Sequence, residues 1–276
     1  MVFIFKNKID QKKGMEDHIP LFFWIHNDNT NPYFNLALEE YLLREFNHDC
    51  FMLWQNSPCV VIGRNQNALS EINADYIKEH NIPVVRRLSG GGAVFHDLGN
   101  LNYTFIVHDK RGSFPFEKFT APLIDVLQKL SIKAERSRRN DLTIDGKKIS
   151  GSAQYRHKNR VLHHGTLLFS SDLAALSSAL AANYQRAGAE FAGRGIRRGI
   201  RSVVSQVTNI SDHTNGPLTI AEFHDLIIDH IKGMYKNFFA YTLTHNDLDR
   251  INRLAGEKYS TWEWNFGRSP HFRSQN

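Results

Sequence analysis

Residues 86–105, Arg-Arg-Leu-Ser-Gly-Gly-Gly-Ala-Val-Phe-His-Asp-Leu-Gly-Asn-Leu-Asn-Tyr-Thr-Phe, combine the side chains and the bare backbone that anion chemistry needs. Gly90, Gly91 and Gly92 offer N–H groups with no side chain in the way. Three glycines lose more conformational entropy on folding than any other tripeptide, so they belong where close approach demands them. Arg86 or Arg87 supplies a planar fork suited to phosphate or carboxylate. Taken alone, the glycine run reads as a flexible hairpin beside two solvated arginines; the flanking Arg-Arg-x-Ser and Ala-Val-Phe-His-Asp favour an anion cradle. A second group lies at 140–150, Asn-Asp-Leu-Thr-Ile-Asp-Gly-Lys-Lys-Ile-Ser. Asp145-Gly146 suits a two-residue type I′ turn, which pairs Ile144 with Lys147, Thr143 with Lys148 and Leu142 with Ile149. Alternation then sets Leu142, Ile144 and Ile149 on one face and Asp141, Thr143, Lys148 and Ser150 on the other. A fixed lysine on a polar face can stabilise charge developing on phosphate. By spacing alone, an exposed hairpin charge is the commoner fate of a lysine.

The elements that must hold these groups are visible in the periodicities. Val84 and Val85 end a strand that enters the glycine loop, and residues 93–95 and 101–107 resume strand-like patterns. Asn31-Pro32 is an N-cap followed by proline at the first helical position. Leu38, Tyr41, Leu42 and Phe46 then repeat at helical spacing, giving one buried face. Residues 51–54 and 59–63 are strands interrupted by Pro58, and Asn73 caps a short helix ending near His80. Phe119, Leu123, Val126, Leu127 and Leu130 share a helical face containing Pro122, so that helix starts late or kinks. Residues 161–169 form a strand and 172–180 a helix. Thr219-x-x-Glu222 is a capping box opening a helix whose face is Phe223, Leu226, Ile227, Ile231 and Met234. Leu248, Ile251, Leu254 and Ala255 suggest a last helix. Interspersed strands and helices with several hairpins imply an α/β (α+β) chain with a mixed β-sheet flanked by helices.

The glycine block resembles the lipoate–protein ligase A family, and five further blocks do so in the family's order: residues 31–43, 54–67, 145–154, 163–168 and 262–270. The resemblance implies the biotin/lipoate ligase catalytic-domain fold. It implies activation of lipoic acid by ATP to lipoyl-AMP, then transfer of the lipoyl group to a lysine of an acceptor lipoyl domain. Acceptors of this kind are 2-oxo-acid dehydrogenase acyltransferase components and the glycine cleavage H protein. In the family, the lysine before Ile/Val-Ser-Gly contacts both acyl carbonyl and phosphate; by position that is Lys148, not Lys147. The cofactor-binding set carried over is Arg87, Gly90, Gly91, Gly92, Ala93, Val94, Phe95, Asn140, Asp141 and His164. Asn140 and Asp141 bind ribose or a Mg²⁺ that shields the phosphates, Asp141 being its ligand, or they simply open the hairpin. His96 and His164 lie in matching blocks, where a satisfied structural histidine is the expected role. The resemblance sets residues 1–18 as an N-terminal extension, 19–270 as the catalytic domain and 271–276 as the start of an accessory region, which some relatives supply as a separate polypeptide. Two family arginines are replaced in Ser202-Val-Val-Ser-Gln-Val207, by Val204 and Gln206.

Composition narrows the alternatives. With 276 residues, 41% hydrophobic and 22% charged, the chain has the make-up of a globular protein of one or two domains. No run approaches the ~20 apolar residues of a membrane span, and the N-terminus lacks a signal-peptide pattern. The net charge of +6 is densest in Arg194-Gly-Ile-Arg-Arg-Gly-Ile-Arg201. No aromatic platform for nucleic acid accompanies that run. It reads as a solvated loop, or more weakly as guidance for an acidic acceptor domain. Only Cys50 and Cys59 occur. They indicate no disulfide framework and point to a reducing cytoplasm. Neither follows the Lys-Ile-Ser-Gly block, so a thioester route is disfavoured against direct aminolysis of an acyl-adenylate. Zinc-like spacing and a P-loop are both absent. The remaining alternatives are an acyltransferase using preformed lipoyl-AMP and a non-catalytic lipoyl-domain-binding protein.

Overall fold

The computed structural model describes residues 21–109, 115–180 and 200–269. Strand β1 (Phe22–His26) leads into helix α1 (Pro32–Arg44). Asn31 Oδ1 accepts the N–H groups of Tyr33 at 2.9 Å and Phe34 at 3.3 Å, and Pro32 sits where no N–H is required. Instead of the single buried face expected, α1 is buried nearly all round, including Asn35, Glu39 and Glu40. Its buried charges have partners: Glu40 accepts from Tyr259 Oη at 2.7 Å and Arg44 Nε at 2.7 Å.

Next come β2 (Asp49–Trp54), β3 (Cys59–Ile62), α2 (Ala68–Glu71), α3 (Ala74–Glu79, capped by Asn73), β4 (Val84–Arg86), β5 (Val94–His96) and β6 (Asn100–His108). Helix α4 (Glu117–Lys129) has already begun when it reaches Pro122, so a late start is ruled out. Three short strands follow, β7 (Ala134–Arg136), β8 (Leu142–Ile144) and β9 (Lys147–Ser150), then the longer β10 (Ser152–His157) and β11 (Arg160–Leu168). The chain continues through α5 (Leu173–Leu180), α6 (Ile220–Met234), β12 (Phe238–Thr242) and α7 (His245–Leu254).

Six strands form one sheet in the order β10-β11-β6-β2-β1-β12, antiparallel from β10 to β2 and parallel across β2, β1 and β12. Alternation along β2 sends Phe51 and Leu53 to one face, against α4 and α6, while Cys50, Met52 and Trp54 go to the other, against α1 and α7. Helices therefore cover both faces. The capping box of α6 forms as expected, but Leu226 and Met234 face outward, so its apolar stripe is narrower than the sequence suggests. Two smaller sheets, β4-β3-β5 and β7-β8-β9, present the glycine loop and the lysine hairpin.

The hairpin turn has both central residues at positive φ, 49° at Asp145 and 75° at Gly146, as a type I′ turn requires. Ile144 faces Lys147 and Thr143 faces Lys148 as expected; a bulge then puts Ser150, not Ile149, opposite Leu142. Ser150 is consequently buried instead of joining the polar face.

Candidate active site

A cavity of about 330 Å³ opens where the glycine loop, the lysine hairpin and strands β10 and β11 converge. Lys148 and Asp141 line it together, with Lys148 Nζ 2.9 Å from Asp141 Oδ1. The lysine backbone is fixed by a crossing segment: its N–H donates to the Gln206 carbonyl at 2.8 Å, and its carbonyl accepts from Thr208 N–H at 3.1 Å. Its side chain runs over Gly151, where an added Cβ would lie 2.8 Å from Nζ. Lys147 is exposed and lies outside the cavity lining, so the two adjacent lysines are separated by strand alternation.

The glycine loop is built as a close approach. Gly91 has φ +92°, and a Cβ on Gly63 would stand 2.2 Å from the Gly91 carbonyl oxygen. Arg86 is fully buried; its guanidinium donates inward to the carbonyls of Gly63, Gln66 and Asn265, among others, so it is not the phosphate fork. Arg87 lines the cavity but is likewise occupied. It donates to Ser89 Oγ at 3.0 Å, Val61 O at 3.1 Å, and the carbonyls of Gly90 and Gly92 at 2.7 Å each. Burial pulls its pKa down to about 10. Arg87 thus shapes the cradle from within. The Ala93 N–H donates to Ser202 Oγ at 2.7 Å, and that hydroxyl donates in turn to the buried Glu71 carboxylate at 2.5 Å.

A continuous hydrogen-bonded chain underlies the cavity. Trp54 Nε1 donates to Thr104 Oγ1 at 2.9 Å, and Thr104 Oγ1 to Glu39 Oε1 at 2.6 Å. His164 lies 2.8 Å from Glu39 through Nδ1 and 2.6 Å from Ser89 Oγ through Nε2. Both ring nitrogens of His164 are thus partnered, and the ring lines the cavity. His96 also lines it; desolvation first, then the charges of Arg87 and His164, lower its pKa to about 3, so its ring stays neutral. Burial pushes the Cys50 thiol up to about 12 and the Cys59 thiol higher still, as expected of inert cysteines.

Of the site residues anticipated, Lys148, Arg87, Gly91, Gly92, Ala93, Val94, Asp141 and His164 line this one cavity. Gly90, Phe95 and Asn140 do not. Phe95 is 3% exposed and packs in the core behind β5, because adjacent strand residues point oppositely. Asn140, at φ 63°, serves the turn before β8, its carbonyl accepting from Ser152 Oγ at 3.1 Å. Arg139 lines the cavity and was not singled out from sequence; residues 200–203 and Ser205, read from sequence only as the end of a basic run and the site of two replaced arginines, line it as well. At the replaced arginines, Val204 is 84% exposed, and Gln206 contributes the carbonyl that holds Lys148. Residues 194–199 of the basic run, 1–18 and 271–276 lie outside the described residues. Among the described residues, no helix is long and apolar enough to cross a membrane. Asp141 already pairs with Lys148, and the described residues include no group of three or more His, Cys, Asp or Glu suited to a metal.

Residues 31–232 match the family described as the lipoyl protein ligase A/B catalytic domain. Lipoate–protein ligase 1 of Staphylococcus aureus is 43% identical over 253 residues, which cover 90% of this chain and 74% of the relative. The structure of a lipoate-protein ligase A bound with ATP superposes with a TM-score of 0.75 at 25% identity, covering 90% of this chain and 99% of the other. A bi-partite lipoate protein ligase, solved in work on that enzyme and its E2 lipoyl domain from Thermoplasma acidophilum, gives 0.75 at 27% identity, covering 94% and 99%.

Proposed function

The chain belongs to the lipoyl protein ligase A/B catalytic-domain family, and from that premise we propose that it is a lipoate–protein ligase. It activates lipoic acid with ATP to lipoyl-AMP, releasing pyrophosphate, and passes the lipoyl group to a lysine of an acceptor lipoyl domain in the cytoplasm. The observation that carries this reading is the Lys148–Asp141 pair at 2.9 Å, set in a cavity walled by Gly91, Gly92 and Ala93.

At about 330 Å³ the cavity is at the lower end of the ~300–1,000 Å³ usual for small-molecule sites. Leu36, Trp54, Val61 and Val94 give one part of its lining an apolar character suited to the acyl chain. In the first step a carboxylate oxygen of lipoate attacks the α-phosphorus, forming a C–O–P linkage. The bond from the α-phosphorus to the bridging oxygen breaks, and pyrophosphate leaves with the electron pair. Two anions meet in this step, so fixed positive charge at the reacting centre lowers the barrier. Lys148 supplies it, oriented by Asp141 and by the backbone bonds to Gln206 and Thr208. In the second step the neutral amine of the acceptor lysine attacks the carbonyl carbon, AMP departs, and the new amide nitrogen loses a proton. The amine needs deprotonation first, since its ordinary pKa is about 10.4. Mg²⁺ bound with ATP would shield the phosphate charge; among the described residues no group of three or more His, Cys, Asp or Glu could hold it. Lipoate-dependent exchange of labelled pyrophosphate into ATP tests this reading, and wild-type protein without exchange would refute it.

A further inference from the structure

Four cationic side chains line the cavity: Arg87, Arg139, Lys148 and Arg201. Arg87 donates to a hydroxyl and three carbonyls, and Lys148 is paired with Asp141. Arg201 also takes part in interactions within the protein. Arg139 differs: among the described residues its exposed guanidinium has no hydrogen bond or ion pair, while its backbone is firmly placed. Ser137 Oγ accepts the N–H groups of Arg139 at 3.2 Å and Asp141 at 3.3 Å. The Ser137 carbonyl accepts Asn140 N–H at 3.1 Å, and the Ser137 N–H reaches the Asp141 carbonyl at 2.8 Å. Asn140 completes the turn at φ 63°. A tight turn thus presents Arg139 at the cavity immediately beside the Asp141–Lys148 pair.

Breaking the bond to the α-phosphorus leaves the electron pair on pyrophosphate, where charge must be met by donors that are not already engaged. Lys148 is committed near the α-phosphorus and Arg87 to the loop, so neither answers that need. A partnerless guanidinium does, because it can pair bidentately with phosphate oxygens without first giving up a protein ion pair. We propose that Arg139 clamps the β- and γ-phosphates of ATP, and hence the leaving pyrophosphate. This rests on the ligase reading. Arg139 acts in adenylation and is idle in transfer, where no pyrophosphate is present.

The full chain is compared with Arg139→Ala, Arg139→Lys and Arg138→Ala; Arg138 is an exposed neighbour outside the cavity lining. Arg139→Ala should lower lipoate-dependent pyrophosphate exchange about 10- to 100-fold, as expected for a charge-assisted hydrogen bond. Arg139→Lys should recover part of the loss. Arg138→Ala should exchange normally, and all three should transfer supplied lipoyl-AMP at close to the wild-type rate. Calorimetric titration with inorganic tripolyphosphate provides a readout independent of catalysis: its affinity should drop in Arg139→Ala and hold in Arg138→Ala. Normal exchange and tripolyphosphate binding by Arg139→Ala would overturn the assignment, as would equal losses in Arg138→Ala or a parallel loss of transfer. Wild-type protein with no exchange would overturn the ligase reading instead, and the tripolyphosphate comparison would still decide the role of Arg139.

Discussion

Replacing Gly151 by alanine should disable the site without unfolding the protein. The added Cβ would stand 2.8 Å from Lys148 Nζ, 3.0 Å from its Cε and 3.6 Å from Asp141 Oδ1. Ordinary carbon contacts need ~3.5–4.0 Å, so the ammonium must retreat by roughly an ångström. What obstructs the methyl group is the end of a flexible side chain, and the backbone can stay in place. The direct structural loss is the partly exposed Lys148–Asp141 pair, worth about 0–1 kcal/mol. That is a shift of no more than a few degrees in Tm. The catalytic loss is far larger, because displacing a reacting group by ~1 Å costs on the order of 100-fold. Pyrophosphate exchange alongside a thermal melt measures both. Combining Gly151→Ala with Lys148→Ala should add little to the loss from Lys148→Ala alone. Full exchange activity in Gly151→Ala, or a global loss of fold, would refute the placement of Lys148 in the reaction.

Lys148→Ala should slow adenylation roughly 100- to 1,000-fold, whereas Lys147→Ala, altering an exposed lysine outside the cavity, should be mild; equal effects would misplace the hairpin face. Gly92→Val should weaken ATP binding in a folded protein, since its Cβ would press on Ser202 at 3.0 Å from Oγ and 3.1 Å from Cα; unchanged affinity by nucleotide titration would reject the cradle. His96 and His163 are held neutral, with pKa values lowered to about 3, first by desolvation and then by the charges of Arg87 and His164 at His96 and of His164 at His163. The unfolded chain therefore gains these protons first, so stability is complete above about pH 6.5 and falls from there toward about pH 3; a urea midpoint independent of pH across that window would contradict it.

Features set by a few neighbouring residues could be read directly from the sequence. Asn31-Pro32, Thr219 with Glu222, and Asp145-Gly146 carry their conformations in their own chemistry, and each forms as expected. The inward wiring of Arg86 was hidden, because its acceptor Asn265 lies 179 residues away and an arginine beside a glycine loop looks the same free or occupied. Ser202 was hidden for the same reason, reaching the Ala93 N–H from 109 residues away. The turn of Phe95 away from the cavity and into the core was available from alternation, since Val94 faces the cavity and its neighbour cannot. Arg139 was overshadowed by the more familiar Asn140-Asp141 pair, and only the turn built on Ser137 shows which of the three residues reach the cavity. Burial of Glu39 and Glu40 on α1 depended on partners contributed by β6, β11 and the C-terminal turns, none of which helical periodicity can foresee.

Intact mass of an apo lipoyl domain, incubated with the chain, lipoate and ATP, tests the ligase assignment most directly. A ligase working through Lys148 should add one lipoyl group to one lysine of the acceptor, with omission of either lipoate or ATP, or replacement by Lys148→Ala, abolishing the addition or slowing it sharply. Acceptor that stays unmodified, or that is modified only when preformed lipoyl-AMP replaces lipoate and ATP, would contradict the assignment.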